Sequence, residues 1–303
     1  MHILVTGADG FVGSHLVRRL LDGALAFDRL TLVDQRFAEA ATDPRVRQVA
    51  GSIADPGIWA GVVDGGADMV FHLASIPGGL AEREFDLGLS VNLQGTIGLL
   101  QALRLQAKPA RLVFASSVAV YGDPLPDVVD DDTPTAPTLS YGAQKLAAEL
   151  LVTDYSRRGF IDGHSLRLPG IVARPPTPSG LISAFMSDVM WAAARGQPVC
   201  VPVSAGAVCW WMSVSCCVDN LLHAAGLKAD RRVWLPPVLR LTMGELVSAL
   251  ENRFGAVDIT YAPDAMVEAR FGRQPPIQAD CALVAGFRHD GDVDRLITAS
   301  LGL

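Results

Sequence analysis

Tyr141 and Lys145 are four residues apart near the start of a predicted helix over residues 139–158. Side chains at positions i and i+4 lie on one face of a helix, so the phenol and the ammonium should point the same way. An ammonium beside a phenol, whose pKa is normally about 10, favours the phenolate. A phenolate can take a proton from an alcohol while a hydride leaves for a cofactor. The pair therefore predicts alcohol–ketone chemistry, although this spacing alone is common by chance.

Two serine hydroxyls and one amide could complete such a site. Ser116 and Ser117 end a predicted strand, where a hydroxyl can bond the substrate oxygen beside Tyr141 or simply cap a turn. Asn92 is polar within an otherwise apolar helix, and such an amide is usually a satisfied part of a core. Beside a candidate catalytic pair, we interpret Asn92 instead as positioning a strand, a water or Lys145.

A glycine-rich turn links the first predicted strand to the first predicted helix. Gly7 permits the tight turn, Gly10 lets the backbone approach a pyrophosphate, and Gly13 lets the helix pack closely on the strand. The backbone N–H groups of Phe11 and Val12 lie at the helix N-terminus, whose positive dipole end attracts phosphates. This loop predicts a dinucleotide site.

An acidic residue follows the second predicted strand at the distance that a dinucleotide site requires. Asp34 lies about 20 residues beyond the loop, where its carboxylate can bond the adenosine ribose hydroxyls, with Gln35 beside it. A carboxylate there repels a 2′-phosphate, so the predicted cofactor is NAD rather than NADP. Arg36 leaves the alternative of a 2′-phosphate contact open.

Further cofactor positions are predicted at two other strand ends. Ser52 and Ile53 close the third strand, near where an adenine would lie. Leu73, Ala74 and Ser75 close the fourth strand at the carboxyl edge, where ligands of open α/β sheets bind. We also expect Ser75 to contact the substrate, and Lys145 to hold the nicotinamide ribose.

Strand-like and helix-like segments alternate through the first half of the chain. Nearly continuous apolar strands between helices are typical of a parallel sheet covered on both faces. The fold class is therefore predicted as α/β, a Rossmann-type doubly wound parallel sheet. The predicted strands are Ile3–Thr6, Leu30–Asp34, Val46–Ile53, Ala67–Ala74, Arg111–Ser116 and His164–Leu168, and the predicted helices are Ser14–Leu21, 82–105 and 139–158.

The second half of the chain changes character. Prolines crowd residues 169–178, and helices are predicted near 180–195, 216–228 and 242–254. Proline clustering suggests that the chain leaves the sheet and builds a smaller lobe. We expect an NAD-binding domain over residues 1–172, a segment near 213–236 that returns to extend the sheet, and a mainly substrate-binding lobe over 173–303.

Charge and hydropathy exclude several classes of function. The net charge of −7 argues against a nucleic-acid partner, since phosphate binding needs a basic surface. The N-terminus has no basic segment before its apolar run and so does not resemble a secretory signal. Residues 198–218 carry no charge, but two prolines and a glycine interrupt them, which favours short buried elements over a membrane span.

The cysteines and carboxylates give no metal-binding pattern. The cysteine count is five, and the spacing fits no zinc site, so buried thiols in a reducing cytoplasm are expected. The acidic run Asp127–Asp132 lies between prolines without ligand spacing, and we interpret it as a solvated loop. No metal is predicted.

At this point the chain resembles the extended short-chain dehydrogenase/reductases, the NAD-dependent epimerase/dehydratase family. The resemblance covers roughly residues 1–175 and implies that Ser117, five residues before Gly122, is the active serine. It also implies cofactor contacts from Ala115, Leu168, Pro169 and Ile171. The segments that carry it are Thr6–Gly13, Phe71–Ala74, Val91–Asn92, Ser116–Gly122, Tyr141 with Lys145, and Arg167–Pro169.

Within the family, the chain is most similar to the D-erythronate dehydrogenases, on residues 85–88, 124–134 and 154–160. That resemblance implies oxidation of a hydroxyl on C2 of a four-carbon sugar acid, with Arg174 pairing with the substrate carboxylate. A departure is the uncharged segment 204–215, where polar and basic residues are expected. If Trp211 lines the substrate site, an apolar or aryl carbonyl compound would fit better; otherwise it packs in the core.

Several functions therefore stay open beside a sugar-acid dehydrogenase acting on a small-molecule substrate. They are a reductase of apolar or aryl carbonyl compounds, a sugar-nucleotide epimerase, and a non-catalytic NAD-binding regulator. The short C-terminal lobe disfavours the epimerase, and the Ser117–Tyr141–Lys145 set disfavours the regulator. A homodimer is expected because dimers through a four-helix interface are common in the family that the chain resembles.

Overall fold

The computed structural model describes residues 1–176 and 182–303. Pro178, one of the clustered prolines, lies outside the described residues. By compactness the chain divides into two units. Unit 1 contains residues 1–122, 135–167 and 221–234, and unit 2 contains residues 123–134, 168–220 and 235–303.

The described residues form strands, α-helices and shorter helical turns. The strands are β1 (His2–Thr6), β2 (Arg29–Asp34), β3 (Val46–Ala50), β4 (Met69–His72), β5 (Ala110–Ser117), β6 (Val129–Asp130), β7 (Ile161–Leu168), β8 (Gly170–Val172), β9 (Val199–Val201), β10 (Val208–Ser213), β11 (Val233–Trp234), β12 (Leu239–Thr242), β13 (Ile259–Tyr261) and β14 (Ile277–Gln278). The α-helices are α1 (Phe11–Leu21), α2 (Ile58–Val62), α3 (Gly78–Arg83), α4 (Phe85–Gly88), α5 (Gly95–Arg104), α6 (Ser140–Arg157), α7 (Phe185–Arg195), α8 (Val214–Gly226), α9 (Met243–Phe254), α10 (Ala265–Phe271), α11 (Asp280–Val284) and α12 (Val293–Leu301).

The central sheet of unit 1 has seven strands in the order β11-β7-β5-β4-β1-β2-β3. The registered pairs β1–β2, β1–β4, β2–β3, β4–β5 and β7–β11 are all parallel. Strand β11 comes from the second half of the chain, so the sheet is closed at one edge by a returning segment. The α/β Rossmann-type fold class is confirmed. The strand order reverses direction beside β1, which is where such sheets bind nucleotides.

The long helical pattern predicted over residues 82–105 is found without interruption from Phe85 to Arg104, but it breaks at Glu84 and is not α-helical throughout. Helices α3 and α4 are short, and residues Leu89–Gln94 form a π-helix before α5 begins at Gly95. Apolar periodicity does not distinguish these forms, because α3, the π-helix and α5 all contribute buried apolar side chains to one core. The extra residue in each π turn changes which side chains face inward.

Unit 2 has its own core and smaller sheets. A three-stranded sheet has the order β12-β10-β8, and the pairs β13–β9 and β14–β6 stand apart from it. The acidic run was predicted to be a solvated loop, but Val129 and Asp130 form β6, which pairs in parallel with β14. Its neighbour Asp131 accepts a hydrogen bond from the Cys281 N–H, at 2.9 Å. The acidic run therefore packs against a segment near the C-terminus within unit 2.

The observed division differs from the predicted one in three places. Residues 123–134 belong to unit 2, the boundary near the end of β7 falls at residue 167 rather than 172, and the returning segment covers 221–234. Hydrogen bonding of β6 explains the first difference, since its partner strand lies near the C-terminus. In the part of the chain that the structure describes, no helix is both long and apolar enough to cross a membrane.

Candidate active site

The glycine-rich loop forms a cradle between β1 and α1. Gly7 has φ of 70°, and a Cβ there would lie 2.7 Å from the Ala74 nitrogen. A Cβ on Gly13 would lie 1.9 Å from the Gly7 carbonyl oxygen, so α1 can approach the loop only with glycine at this position. Gly10 is exposed, and a Cβ there would meet only the Gly7 oxygen, at 3.1 Å. The loop thus presents bare backbone at the start of α1, which fits a dinucleotide pyrophosphate.

Asp34 lies at the end of β2 beside this loop. Its carboxylate accepts hydrogen bonds from the backbone N–H of Asp9 at 2.9 Å and of Gln35 at 2.7 Å. Partial burial raises the pKa of Asp34, and these backbone bonds oppose the rise. Asp9 also accepts a bond from the Ala38 N–H, at 3.2 Å, which ties the segment after β2 to the loop. The carboxylate is therefore held in place before any ribose binds.

Strand ends bring the other predicted cofactor positions of unit 1 to the same sheet edge. Ser52 and Ile53 follow β3, and residues 73–75 follow β4. The carboxyl ends of parallel strands share one edge, where Gly7 follows β1 and Asp34 ends β2. Ile53 packs beneath α5, where a Cβ on Gly95 would come within 2.9 Å of its side chain.

Tyr141 lies in the first turn of α6, and its hydroxyl is close enough to those of Ser117 and Ser75 for both to act on its pKa. Burial raises the pKa of Tyr141 above its ordinary value, and the two serine bonds oppose that rise. In the free chain desolvation dominates. The expected pull toward the phenolate, from Lys145 and the positive nicotinamide ring together, concerns the cofactor-bound enzyme and stays a prediction.

The structure separates the two candidate serines. Ser116 is buried, and its hydroxyl donates to the Glu149 carboxylate at 2.9 Å. Ser117 is half-buried and faces Tyr141, and its oxygen also accepts from the Ala119 N–H at 3.1 Å. Consecutive residues of a strand point to opposite faces, so only one of the pair can reach the phenol.

Lys145 is 2% exposed, and its ammonium donates to the Ala115 carbonyl oxygen at 2.8 Å. The Nζ atom lies 4.9 Å from the ring centroid of Phe114 and 5.7 Å from that of Tyr141. Burial lowers the pKa of Lys145 to about 7. The two rings partly replace the lost hydration of this cation.

Asn92 is buried inside the π-helix, and its side-chain bonds go to two neighbouring segments. Its oxygen accepts from the Ile76 N–H at 2.7 Å and from the Ser75 hydroxyl at 3.0 Å. Its nitrogen donates to the Ile76 carbonyl at 3.2 Å and to the Gln144 side chain at 2.8 Å. The amide thus connects the turn after β4 to helix α6, which carries Tyr141.

The remaining predicted site residues belong to unit 2. Leu168 and Pro169 are buried, and Ile171 lies in β8 opposite Met212 of β10. Arg174 is half-buried, its backbone N–H donates to the Ser187 hydroxyl at 3.0 Å, and burial lowers the pKa of its guanidinium.

Trp211 is wrong as a predicted substrate contact. It has no exposed surface, it lies in the core of unit 2, and its indole N–H donates to the Leu241 carbonyl oxygen at 3.1 Å. Residues 208–213 form the central strand of a small sheet, which requires apolar side chains. The uncharged segment is therefore core, and it gives no support to an apolar or aryl substrate.

Sequence reasoning missed two buried polar groups next to these residues. The first is the ion pair of Glu149 and Arg167, at 2.6 Å, beneath Ser116. Glu149 follows Lys145 by four residues on α6, so helical spacing could have found it. The second is His72, fully buried in β4 between hydroxyls of Thr6 and Thr96. Polar residues inside apolar strands were the available signal.

Comparison with known proteins gives the family. Residues 3–226 match the NAD dependent epimerase/dehydratase family. The chain belongs to this family.

Relatives that match along nearly the whole chain have a more specific name. This chain is 39% identical to a D-erythronate dehydrogenase of Cupriavidus necator, over 99% of this chain and 97% of that protein. It is 33% identical to a D-erythronate dehydrogenase of Haemophilus influenzae, over 98% of each. A solved structure, described as the nucleoside-diphosphate-sugar epimerase from Agrobacterium tumefaciens, superposes with a TM-score of 0.91 at 34% identity, covering 100% of this chain and 94% of that one.

The family assignment and the site agree on the class of chemistry. The chain is an NAD-dependent oxidoreductase acting on a CH–OH group. NAD, when bound, supplies the hydride acceptor, and the phosphate loop and Asp34 are the residues that fit it. The chain's own contribution is a phenol held by two hydroxyls beside a buried ammonium, which can exchange a proton with a substrate oxygen.

Proposed function

We propose that this enzyme oxidises the C2 hydroxyl of a four-carbon sugar acid, with D-erythronate as its substrate. The observation that carries the proposal is the match to D-erythronate dehydrogenases along essentially the whole chain. Conversion of a C2 alcohol to a ketone needs one proton acceptor and one hydride acceptor, and no leaving group. The Ser117, Tyr141 and Lys145 set is sufficient for the protein's part of that reaction.

In this proposal each residue has a defined task. The Ser117 and Ser75 hydroxyls hold the substrate oxygen, and Tyr141 takes its proton. Lys145 bonds the nicotinamide ribose and, as the ammonium, stabilises the phenolate. Asn92 positions Ser75, to which it is already bonded. Arg174 pairs with the substrate carboxylate, for which a guanidinium offers two parallel bonds. Leu168, Pro169 and Ile171 contact the cofactor, as do Phe11, Val12 and Leu73.

A substrate panel tests the proposal. The purified protein is incubated with NAD and either D-erythronate or benzylic alcohols, and formation of NADH is followed by absorbance. Turnover of D-erythronate with little or none of the aryl alcohols is expected. Turnover of aryl alcohols without any of four-carbon acids would refute the sugar-acid assignment while leaving the oxidoreductase class intact.

The carboxylate contact needs its own variant. Arg174→Met should raise KM for D-erythronate by at least about tenfold, because a charge-assisted bond to the carboxylate is lost. KM for NAD should change little. Arg195→Met, which removes a guanidinium near the end of α7 in the same unit, is the matched control. Equal KM values for the two variants would remove Arg174 from the substrate site.

We propose that Asp34 makes the enzyme prefer NAD over NADP. Its carboxylate is held by the backbone of the phosphate loop, so a 2′-phosphate would meet a fixed negative charge. Saturating NAD should raise the melting temperature and NADP should raise it far less. Equal stabilisation by NAD and NADP would contradict this role of Asp34 and would indicate that Arg36 binds the 2′-phosphate.

We propose a homodimer formed through unit 1, in the cytoplasm. Large apolar side chains are exposed on residues 85–105 and on α6, as interfaces require. They are Phe85, Leu87, Ile97, Leu105 and Leu150. All five cysteines are free thiols, which suits a reducing compartment. The expectation that they are buried is wrong for Cys200 and Cys281, which are exposed. Cell fractionation tests the location.

The dimer is tested by sedimentation of two variants. Leu150→Glu should convert the dimer to a monomer, since a charge would be buried in the interface. Val284→Glu, at a position of unit 2 that is 90% exposed, should leave the dimer intact. A monomeric wild type would refute the proposal directly.

A further inference from the structure

A chain of hydrogen bonds runs through the interior of unit 1 beneath the active site. The Thr6 hydroxyl bonds the His72 Nδ1 atom at 2.7 Å, and the His72 Nε2 atom bonds the Thr96 hydroxyl at 2.9 Å. At one end the Ala74 N–H donates to Thr6, at 3.3 Å. At the other end Thr96 donates to the carbonyl oxygen of Asn92, at 2.8 Å. The three side chains are at most 1% exposed.

The direction of every bond in this chain follows from the number of protons. A threonine hydroxyl has one proton, and that of Thr96 goes to the Asn92 carbonyl, which can only accept. The Thr96 oxygen must therefore accept from the His72 Nε2–H. The Nδ1 atom of a neutral imidazole is then bare and accepts from the Thr6 hydroxyl. Each group is satisfied only with His72 neutral and protonated on Nε2.

The surroundings of His72 agree with a neutral ring. Burial lowers the pKa of His72 to about 3, and the nearby charge of Lys145 lowers it further. Among the described residues, no acidic group contributes to this shift. The imidazole is bonded to the two hydroxyls, and the ring of Phe114 is stacked against it at 5.7 Å between centroids. Phe114 is in turn the ring nearest the Lys145 ammonium.

The Thr6–His72–Thr96 hydrogen bonds lie next to several parts of the site but do not include the reacting groups. Thr6 immediately precedes Gly7 of the phosphate loop. Thr96 bonds the backbone of Asn92, whose side chain holds Ser75 and, through Gln144, helix α6. The stacked Phe114 ring supports Lys145. The His72 imidazole therefore contacts three residues, Thr6, Thr96 and Phe114, each of which is next to a residue of the site in the chain or bonded to or packed against one.

We propose that His72, as its neutral Nε2–H tautomer, is a positioning residue for hydride transfer. It keeps the π-helix that contains Asn92 and the Phe114–Lys145 pair in a fixed position relative to the phosphate loop. It acts through Asn92 and Phe114 and contacts no reactant. The Thr96 hydroxyl both accepts from His72 and donates to the carbonyl oxygen of Asn92. Its removal should therefore break the hydrogen-bonded connection between β4 and the π-helix that contains Asn92.

The structure offers a matched control for this test. Thr31 in β2 is equally buried, and its hydroxyl bonds the His2 Nε2 atom at 2.9 Å, on the same sheet but remote from Tyr141. Thr96→Val and Thr31→Val each remove one hydroxyl from a buried threonine–histidine bond. Both should lose a similar amount of stability. Only Thr96→Val should lower kcat, by about ten- to a hundredfold as for a misplaced catalytic group, with KM for NAD within about twofold of wild type.

Rescue and spectroscopy complete the test. Thr96→Ser keeps the hydroxyl and should retain most of the wild-type kcat, even if Thr96→Val does not fold. Equal kcat losses in Thr96→Ser and Thr96→Val, or in Thr96→Val and Thr31→Val, would overturn the positioning role. Nitrogen-15 NMR of the wild type should show His72 neutral and protonated on Nε2 at pH 6. A charged ring or the Nδ1–H tautomer would also overturn it, and this measurement needs no substrate, so a wrong D-erythronate assignment is distinguishable.

Discussion

Burial acts in opposite directions on the two catalytic groups. It raises the pKa of Tyr141 and lowers that of Lys145 to about 7, because each charged form loses hydration. The free enzyme thus holds the proton on the phenol, which is the form that donates in ketone reduction. For alcohol oxidation the charged ammonium must offset the desolvation of the phenolate. Ser75 and Ser117 already supply part of that stabilisation.

Removal of the phenol should affect the reaction rather than the fold. Tyr141→Phe should lower kcat by about two to four orders of magnitude, the loss expected for a general acid/base. NAD affinity, measured by calorimetry, should stay within about threefold. Tyr155→Phe is the matched control, since its hydroxyl, on the same helix, contacts only the Gln101 side chain among the described bonds. Near-normal turnover of Tyr141→Phe would remove this residue from its role.

At the scale of elements, two helical segments determine how the site is held. The π-helix over Leu89–Gln94 turns Asn92 inward to reach Ile76, which lies beyond the end of β4. Helix α6 then presents Tyr141, Lys145 and Glu149 along one face at four-residue spacing. A continuous α-helix from residue 82 would change the facing of Asn92, because each residue adds a different rotation in the two helix types.

The phosphate loop predicts contrasting effects for two glycines. Gly13→Ala should destabilise the protein by about 1–3 kcal/mol or more, since its Cβ would overlap the Gly7 carbonyl oxygen. Gly10→Ala should cost under about 1 kcal/mol, because the position is exposed and its backbone is extended. Gly10→Ala should nevertheless weaken NAD binding at least about tenfold by filling the space nearest the phosphates.

Urea denaturation and calorimetry measure these two quantities separately. An unchanged NAD affinity in Gly10→Ala would show that the pyrophosphate does not lie on this loop. Equal stability of Gly13→Ala and wild type would contradict the close packing of α1 on β1.

The Glu149–Arg167 pair links α6 to β7 and is largely buried. Arg167 also donates to the Tyr121 hydroxyl at 3.0 Å. Arg167→Met should cost about 3–5 kcal/mol, because it leaves the Glu149 carboxylate buried without its cation. Arg157→Met breaks an exposed pair with Asp154 on the same helix and should cost under about 1 kcal/mol. Comparable losses by chemical denaturation would mean that the buried pair is solvated.

At the scale of the whole molecule, each unit carries its own core. The core of unit 1 lies on the parallel sheet, and that of unit 2 contains Trp211, Met243 and Leu296. Apolar strands lead into the phosphate loop in unit 1, whereas the apolar strand that carries Trp211 is core in unit 2. Hydropathy does not distinguish these uses, since both bury the same surface.

Two buried histidines predict acid sensitivity of the folded chain. Burial lowers the pKa of His72 to about 3 and that of His164 to about 4, against about 6.5 in an unfolded chain. Below pH 6.5 the unfolded chain therefore binds protons that the folded chain does not. The free energy of unfolding should fall with decreasing pH, by up to about 1.4 kcal/mol per pH unit for each histidine, down to its folded pKa.

A pair of variants isolates one of these contributions. His164→Phe should make the free energy of unfolding fall less steeply between pH 6.5 and 4, by up to about 1.4 kcal/mol per pH unit, which corresponds to one proton. Urea denaturation at several pH values measures this slope. His289→Phe, at an exposed position, is the matched control. The same slope in wild type and His164→Phe would show that His164 is protonated in the fold.

Local pattern was enough for much of this protein. Glycine spacing between β1 and α1, the acid after β2 and the four-residue spacing of Tyr141 and Lys145 depend on neighbours in the chain. Alternating apolar strands and helices likewise predicted the parallel sheet. These features are short-range, because a turn or one helix face involves only a few consecutive residues.

Tertiary structure decided which of several equivalent residues serves which purpose. Ser116 is committed to Glu149, 33 residues away, and this leaves Ser117 for Tyr141. His72 meets Thr96 across 24 residues, and Trp211 meets Leu241 across 30. A buried polar group must find a partner and a buried indole must find a cavity that fits. Those partners come from distant segments, so only the folded chain determines whether a residue is catalytic, positioning or core.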